Sequence, residues 1–314
     1  MLDTITLWLE TSNTEGSMSE LTKTTDTIDR GTGEWRNSSG NLQNLTVKVW
    51  PDGIWLTGSL AKFHLGSNIE TLPWKETASA VEHLSDELNQ PMAHARVFRL
   101  DVAQTFAMER PPSDYFRSFL APPRMNRHEY RSETLTFFNG QRSIVFYDKL
   151  AEMRRKRERL DDRAENGGPS RFHGHSNLLR YEVQFKKSLG RAFDERELRA
   201  ASLSDSEFYE KVVRKWEEQY FKLGRACLVR RPVGRTSVKS DVEFLAALGL
   251  GHFGPQQYLD AITSDLRAGL IDKYQANRKR MKIRELAKGG GITSVGDVLE
   301  ELDSKVRQAV ALCE

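Results

Sequence analysis

Cysteine is scarce in this chain, with only Cys227 and Cys313 among 314 residues, far apart in the sequence. That argues against a disulfide framework and a cysteine metal site, and it fits a reducing cytosol. No apolar run reaches the roughly 18 residues a membrane span requires, so no membrane partner is expected. The first residues, "MLDTITLWLE", alternate apolar and polar positions and lack the basic and apolar regions of a signal peptide; they read as a strand. Charge of one sign is missing as well. With 47 basic and 44 acidic residues the formal charge is only +3, so the placement of charges matters more than their sum.

Alternation and turn chemistry dominate the first part of the chain. Ile5, Leu7 and Leu9 recur at period two, the pattern of a half-buried strand. Residues 11–40 are rich in Ser, Thr, Asn and Gly and read as a long loop or mobile insertion. Two strand-like runs flank Pro51-Asp52-Gly53, where Pro presets φ and Gly is expected to accept a positive φ. After Pro73, Ala78, Val81, Leu84 and Leu88 form one helical stripe. Residues 95–108 return to strand character, and a short helix is expected from Ser113 as N-cap. Asn139-Gly140 predicts a type I′ hairpin turn, and residues 177–190 hold a further strand. Residues 154–168 are charged and end in Gly-Gly-Pro, a mobile connection. Beyond about Phe193 the periodicity is helical, over 207–223, 242–249, 255–268 and 295–312. The expected fold is α+β over 1–190, followed by a mainly helical region over 191–314. No repeat of solenoid period is visible.

Strands put residues i and i+2 on one face. "FRLDVAQ" thereby groups Arg99, Asp101 and Ala103; "IVFYDK" groups Val145, Tyr147 and Lys149; "LLRYEVQF" groups Arg180, Glu182 and Gln184. A sheet with one wet face produces the same alternation. The functional reading is a shallow active site with Tyr147 as nucleophile, Lys149 as its cation, and Asp101 and Glu182 as carboxylate ligands of Mg²⁺ or Mn²⁺. Tyrosine alone is a poor nucleophile, because a phenol of pKa about 10 is only ~0.1% ionised at pH 7. A metal ion or a cation makes up part of that deficit and offsets phosphate charge. Ser59, Lys62 and His64 in "GSLAKFHLG" form a second polar cluster, which a solvated hairpin arm explains equally well.

Five short blocks in order resemble the gene II/X family of replication initiation proteins from filamentous phages and related plasmids. They are "LDTITL", "GSLAKFHLG" (Gly58 to Gly66), "FRLDVAQTF" (Phe98 to Phe106), "IVFYDK" (Ile144 to Lys149) and "LLRYEVQFKKSL" (Leu178 to Leu189). The resemblance spans roughly residues 1–225. It implies a rolling-circle initiator of the nicking-domain type, a central antiparallel sheet with flanking helices. Such a protein nicks one strand of its double-stranded origin, keeps the 5′ phosphate on a tyrosine, and leaves a 3′ hydroxyl for the host polymerase. It later rejoins the displaced strand. The family's nucleophile falls on Tyr147, its lysine on Lys149, and its acidic residues on Asp101 and Glu182. The His-hydrophobic-His motif of many rolling-circle initiators is missing. The only His-x-His is His173-Gly174-His175, read as loop histidines, and His64 is a candidate third ligand.

Two basic clusters are candidate DNA contacts. Arg154, Arg155, Lys156 and Arg157 follow the tyrosine at once, diluted by acidic neighbours. Arg278, Lys279, Arg280 and Lys282 follow a segment with the helix periodicity of a helix-turn-helix, although a helical lid or dimer surface fits the same pattern. Trp55, Phe63, Phe137 and Phe138 are aromatic candidates for stacking on the nicked single strand, or core residues. Expected partners are origin DNA, duplex and single-stranded, with a host helicase and polymerase and a possible second copy of the chain. A non-catalytic origin-binding initiator or repressor is the rival function, and an RNA-binding module a weaker one.

Overall fold

The computed structural model describes residues 1–14, 21–156, 172–225, 245–246, 249–250, 255–288 and 298–313. The chain forms two compact units, Met1–Gly224 with Glu301–Glu314, and Arg225–Glu300.

The first unit is built on one ten-stranded sheet, antiparallel at every pairing between neighbours. Its strands are β1 (Leu2–Glu10), β2 (Thr22–Ile28), β3 (Trp35–Leu42), β4 (Leu45–Trp50), β5 (Gly53–Ser59), β6 (Arg96–Ala107), β8 (Asn126–Tyr130), β9 (Thr134–Phe138), β10 (Arg142–Asp148) and β11 (Leu178–Phe185). The spatial order is β2-β3-β4-β5-β1-β6-β11-β10-β9-β8, with β7 (Phe119–Leu120) outside it. The two halves follow one path. A first strand is followed by a four-strand meander whose last strand returns beside it: β5 beside β1, and β11 beside β6. β1 and β6 then pair antiparallel at the centre. The helices of this unit are α1 (Leu60–Leu65), α2 (Trp74–Leu88), α3 (Pro112–Phe116), α4 (Lys149–Lys156), α5 (Leu189–Phe193) and α6 (Ser206–Phe221).

One face carries the core. Ile5, Leu7, Ile54, Leu56, Leu100, Val102, Ile144, Phe146, Tyr181 and Val183 are buried, as their alternation requires. Helix α6 lies on this face, where Trp216 packs on Tyr181 at 4.7 Å and takes a hydrogen bond from its hydroxyl on the backbone carbonyl. Asp205 caps α6 by accepting from the Phe208 amide. The C-terminal helix α9 (Val298–Ala311) contributes Asp303, which accepts from Tyr220 at 2.6 Å, and Lys305, which donates to the Ala107 carbonyl at 2.7 Å. The expected mixed α+β class and helical C-terminal region are therefore present.

Several local expectations are revised. Residues 22–28 and 35–42 are strands rather than loop. Their polar sequence hides this because every residue of the edge strand β2 is exposed. That strand is held by backbone pairing and by polar side-chain bonds of Thr22 and Asp26 to β3 rather than by apolar burial. Gly53 does not take a positive φ. Its missing side chain is needed because a Cβ there would come within 2.5 Å of the Leu9 carbonyl and the Trp8 ring. Asn139-Gly140 forms no type I′ turn: neither residue has a positive φ, and the Asn139 side chain closes the hairpin by accepting from the amides of Gln141 and Arg142. In α2, Thr77 and Ala80 are buried and Ala78 is exposed. Helix α3 starts at Pro112 rather than beyond Ser113, since proline has no N–H to lose at a helix start. Most of 154–168 and of 242–249 lies outside the described residues.

The described residues of the second unit include a helical pair, α7 (Pro255–Arg267) and α8 (Lys273–Lys288). Gly269 ends the first helix in the left-handed region, with φ 71°. Asp272 and Gln275 exchange side chain-to-amide bonds in a reciprocal cap that starts α8.

Gly53→Ala should destabilise the first unit by about 1–3 kcal/mol through overpacking against backbone, measurable as a lowered denaturant midpoint at unchanged slope.

Candidate functional site

Strand register assembles the site. Tyr147 on β10 lies opposite Arg180 on β11, and Arg180 lies opposite Thr105 on β6. One pleat further along, Val145, Glu182 and Ala103 are aligned; next come Ser143, Gln184 and Asp101. Directly opposed residues share a face, so Tyr147, Glu182 and Asp101 stand together on the face opposite the core. A bulge between Leu2 and Ile5 shifts β1 against β6, and Asp3 joins the group there.

The Arg180 guanidinium, fully buried, is the centre of the cluster. It donates to Asp3 Oδ2 at 2.5 Å, to the Asn68 carbonyl at 2.6 Å and to Thr105 Oγ1 at 3.1 Å. Its Nε has no hydrogen bond and lies 3.9 Å from Glu182 Oε2. Asp3 also accepts from Ser59 Oγ at 2.5 Å. Asp101, 1% exposed, is held by Arg99 through two bonds of 2.8 and 2.6 Å. Glu182 accepts from Gln184 at 2.6 Å.

Three buried carboxyl groups thus face the buried Arg180 guanidinium and the partly exposed Arg99. Burial, with Glu182 and Asp3 adding to it, pushes the Asp101 carboxyl up to about 8 despite Arg99. Burial and Asp3 likewise raise Glu182 against the pull of Arg180. Desolvation holds the Tyr147 phenol well above its ordinary value, with Arg180 as the cation acting to lower it. The Tyr147 ring is partly exposed.

Lys149 is not the strand residue its spacing suggests. β10 ends at Asp148, and Lys149 opens helix α4. It is buried and donates to Asn68 Oδ1 at 2.9 Å and Glu152 Oε2 at 2.6 Å, with its ammonium 6.0 Å from the Tyr147 ring centre. Burial and Arg180 lower its pKa. Asp148 accepts from the Ala151 amide and caps α4, a purely structural use. The charge nearest in effect to the phenol is therefore Arg180. Alternation puts Arg180 on the polar face but assigns it no task. Asp3 is hidden in the sequence because its side chain reaches the site only through the β1 bulge.

The remaining candidates divide. Ser59 caps α1 by accepting from the Lys62 amide, and it touches the site through Asp3. His64 places its ring 6.0 Å from His83 of α2, and its buried Nδ1 has no hydrogen bond. Among the described residues no group of three or more His, Cys, Asp or Glu is arranged to hold a metal. Two carboxylates with raised pKa values remain a hard-oxygen donor pair of the kind Mg²⁺ or Mn²⁺ takes, with water completing the shell. Arg154, Arg155 and Lys156 are exposed in the last turn of α4; Arg155 pairs with Glu133 at 3.0 Å and Lys156 with Glu152 at 2.6 Å. Arg157 lies outside the described residues. Arg278, Lys279 and Lys282 are exposed on α8, and Arg280 donates to Thr263 of α7 at 3.0 Å.

Two stability outcomes follow from the cluster. Arg180→Met should cost about 3–5 kcal/mol, because it strands Asp3 as an unpaired buried charge. Asp101 holds its proton more tightly in the folded chain than at the ordinary value of 3.8, so its contribution to stability is complete below that value and is lost as pH rises through about 8. Denaturant unfolding across that window should show Asp101→Asn gaining on the wild type as pH rises; a constant difference would contradict the assignment.

No helix among the described residues is long and apolar enough to cross a membrane. No curated protein matches the chain. The family model for the N-terminal part of the phage replication-associated gene II protein matches residues 1–218, which covers the whole ten-stranded sheet and most of α6, and the chain belongs to that phage replication family.

Proposed function

We propose that the protein is a rolling-circle replication initiator that nicks one strand of its double-stranded origin through Tyr147. The observation that carries this reading is the register that sets Tyr147 opposite the buried Arg180, with Glu182 and Asp101 on the same face. Family membership supports replication initiation in general.

Tyr147 Oη attacks the scissile phosphorus, the bond from phosphorus to O3′ breaks, and the 5′ end stays on the enzyme as a phosphotyrosine. The phenol gives up its proton as it attacks, and the departing 3′ oxygen gains one. A 3′ hydroxyl from the displaced strand then attacks the phosphotyrosine, the bond to Tyr147 breaks, and the strand is sealed. Because one phosphodiester replaces another, rejoining needs no external energy source. Arg180 favours the phenolate and the charge gathering on the phosphoryl oxygens, the task of a preorganised cation in a dry site. Mg²⁺ or Mn²⁺ on Asp101 and Glu182 would supply further charge neutralisation at the phosphate. Lys149 and Glu152 hold the first turn of α4 beside the nucleophile, and Arg154, Arg155 and Lys156 guide the scissile strand. The chemistry is assigned to the nicking-type sheet of residues 1–190. Duplex origin recognition is assigned to the helical region 191–314, through Arg278, Lys279, Arg280 and Lys282.

Supercoiled plasmid carrying the origin, incubated with the protein and Mg²⁺ or Mn²⁺, should yield open circles with protein on the 5′ end. Tyr147→Phe should form no covalent adduct, and Arg180→Lys should nick about 10²-fold more slowly. Asp101→Ala and Glu182→Ala should lose metal-dependent nicking. Origin binding by the wild type without any nick would instead establish a non-catalytic initiator or repressor.

A further inference from the structure

The face that carries Tyr147 continues past the site. Thr6 on β1 lies opposite both Arg99 and Thr57, and Trp8, one pleat on, lies opposite Trp55. Trp8 and Trp55 rings are 6.5 Å apart, and Trp55 is 5.2 Å from Phe98. Phe98 is the extra residue of a β6 bulge, where Thr6 opposes Arg99 but the next residue of β1 opposes Val97. The bulge turns Phe98 out of the core face, leaving it 39% exposed. Trp8 and Trp55 are partly exposed. Between Phe98 and Thr105, the β6 residue opposite Arg180, the strand runs about 23 Å.

These aromatics are flanked by cations. Lys48 lies opposite Trp55 and is exposed. Arg96 stacks its guanidinium 5.5 Å from the Phe98 ring centre. Beside Phe98 opens a hollow of about 320 Å³ whose lining includes Arg96, Lys186, Lys187 and Arg196, against the single carboxylate of Glu197. Flat rings next to a row of cations suit bases and phosphates in alternation, and duplex DNA, whose bases are stacked inside, cannot use the rings.

We infer that Trp8, Trp55 and Phe98, with the basic hollow of Arg96, Lys186 and Lys187, form a binding track for single-stranded DNA. The track rests on the nicking reading only for the source of that strand. In the duplicated sheet path it occupies the cross-strand position matching the catalytic one: Trp8–Trp55–Lys48 in one half, Thr105–Arg180–Tyr147 in the other. The track therefore starts on the β1 half, at Trp8 and Trp55, and crosses the β1–β6 pairing to Phe98 and the basic hollow.

Full-length Tyr147→Phe protein, which binds without cutting, serves as the parent for fluorescence anisotropy with labelled oligo(dT) and a duplex of equal length. Adding Trp55→Ala or Phe98→Ala should weaken oligo(dT) binding about tenfold each. Trp55→Phe should restore it, and duplex binding should not change. Lys187→Ala should lower the salt slope for oligo(dT) by about 0.7. Alanine variants that bind oligo(dT) as tightly as the parent, or that lose oligo(dT) and duplex in equal measure, would overturn the track. A wild-type protein that never nicks, while Trp55→Ala and Phe98→Ala still lose oligo(dT), would remove the nicking reading and leave the track standing.

Discussion

Arg180 sits fully buried in the middle of the sheet, and the groups around it are arranged by the need to satisfy that charge. Burial alone would lower its pKa, but Asp3, Tyr147 and Glu182 outweigh burial and keep the guanidinium protonated. The Asn68 carbonyl brings the loop after α1 over the sheet, and the Asn68 side chain in turn holds Lys149 at the start of α4. One buried cation therefore ties together β1, β6, β11, the 66–71 loop and the helix that follows the tyrosine. A charge so held has little freedom to move.

The same cluster carries more carboxyl groups than guanidiniums. Asp101 and Glu182 are pushed upward by burial and by neighbouring carboxylates. A site of this kind is stabilised by an added proton or an added cation, and the two compete for the same oxygens. The chain tolerates this frustration because the face opposite is a conventional core, with Phe119, Phe146, Tyr181, Trp216 and Tyr220 in ring contact.

The doubled strand path gives the two halves of the sheet different polar faces. Each half contributes three adjacent strands to one continuous polar face, and the antiparallel β1–β6 pairing joins them without a break. The half built on β6 fills its positions with Thr105, Arg180 and Tyr147, while that built on β1 uses Trp8, Trp55 and Lys48. No sequence repeat betrays this path, because backbone pairing defines it and the side chains on the two halves differ in kind.

Period-two alternation by itself determined β1, β6, β10 and β11 and which side chains of each strand share a face, since side-chain direction along a strand is fixed by the pleat. That the faces of Asp101, Tyr147 and Glu182 coincide was decided by the register between strands. Alternation could not show the edge strands β2 and β8, whose residues are exposed on both sides and carry no hydrophobic signature. Only the tertiary structure decided that Lys149 leaves the strand for a helix, that Asp3 reaches Arg180 through a bulge, and that Phe98 turns outward beside Trp55. Each of these depends on where a strand ends or slips by one residue. Such slips are set by hydrogen bonds to distant segments, which local sequence does not encode.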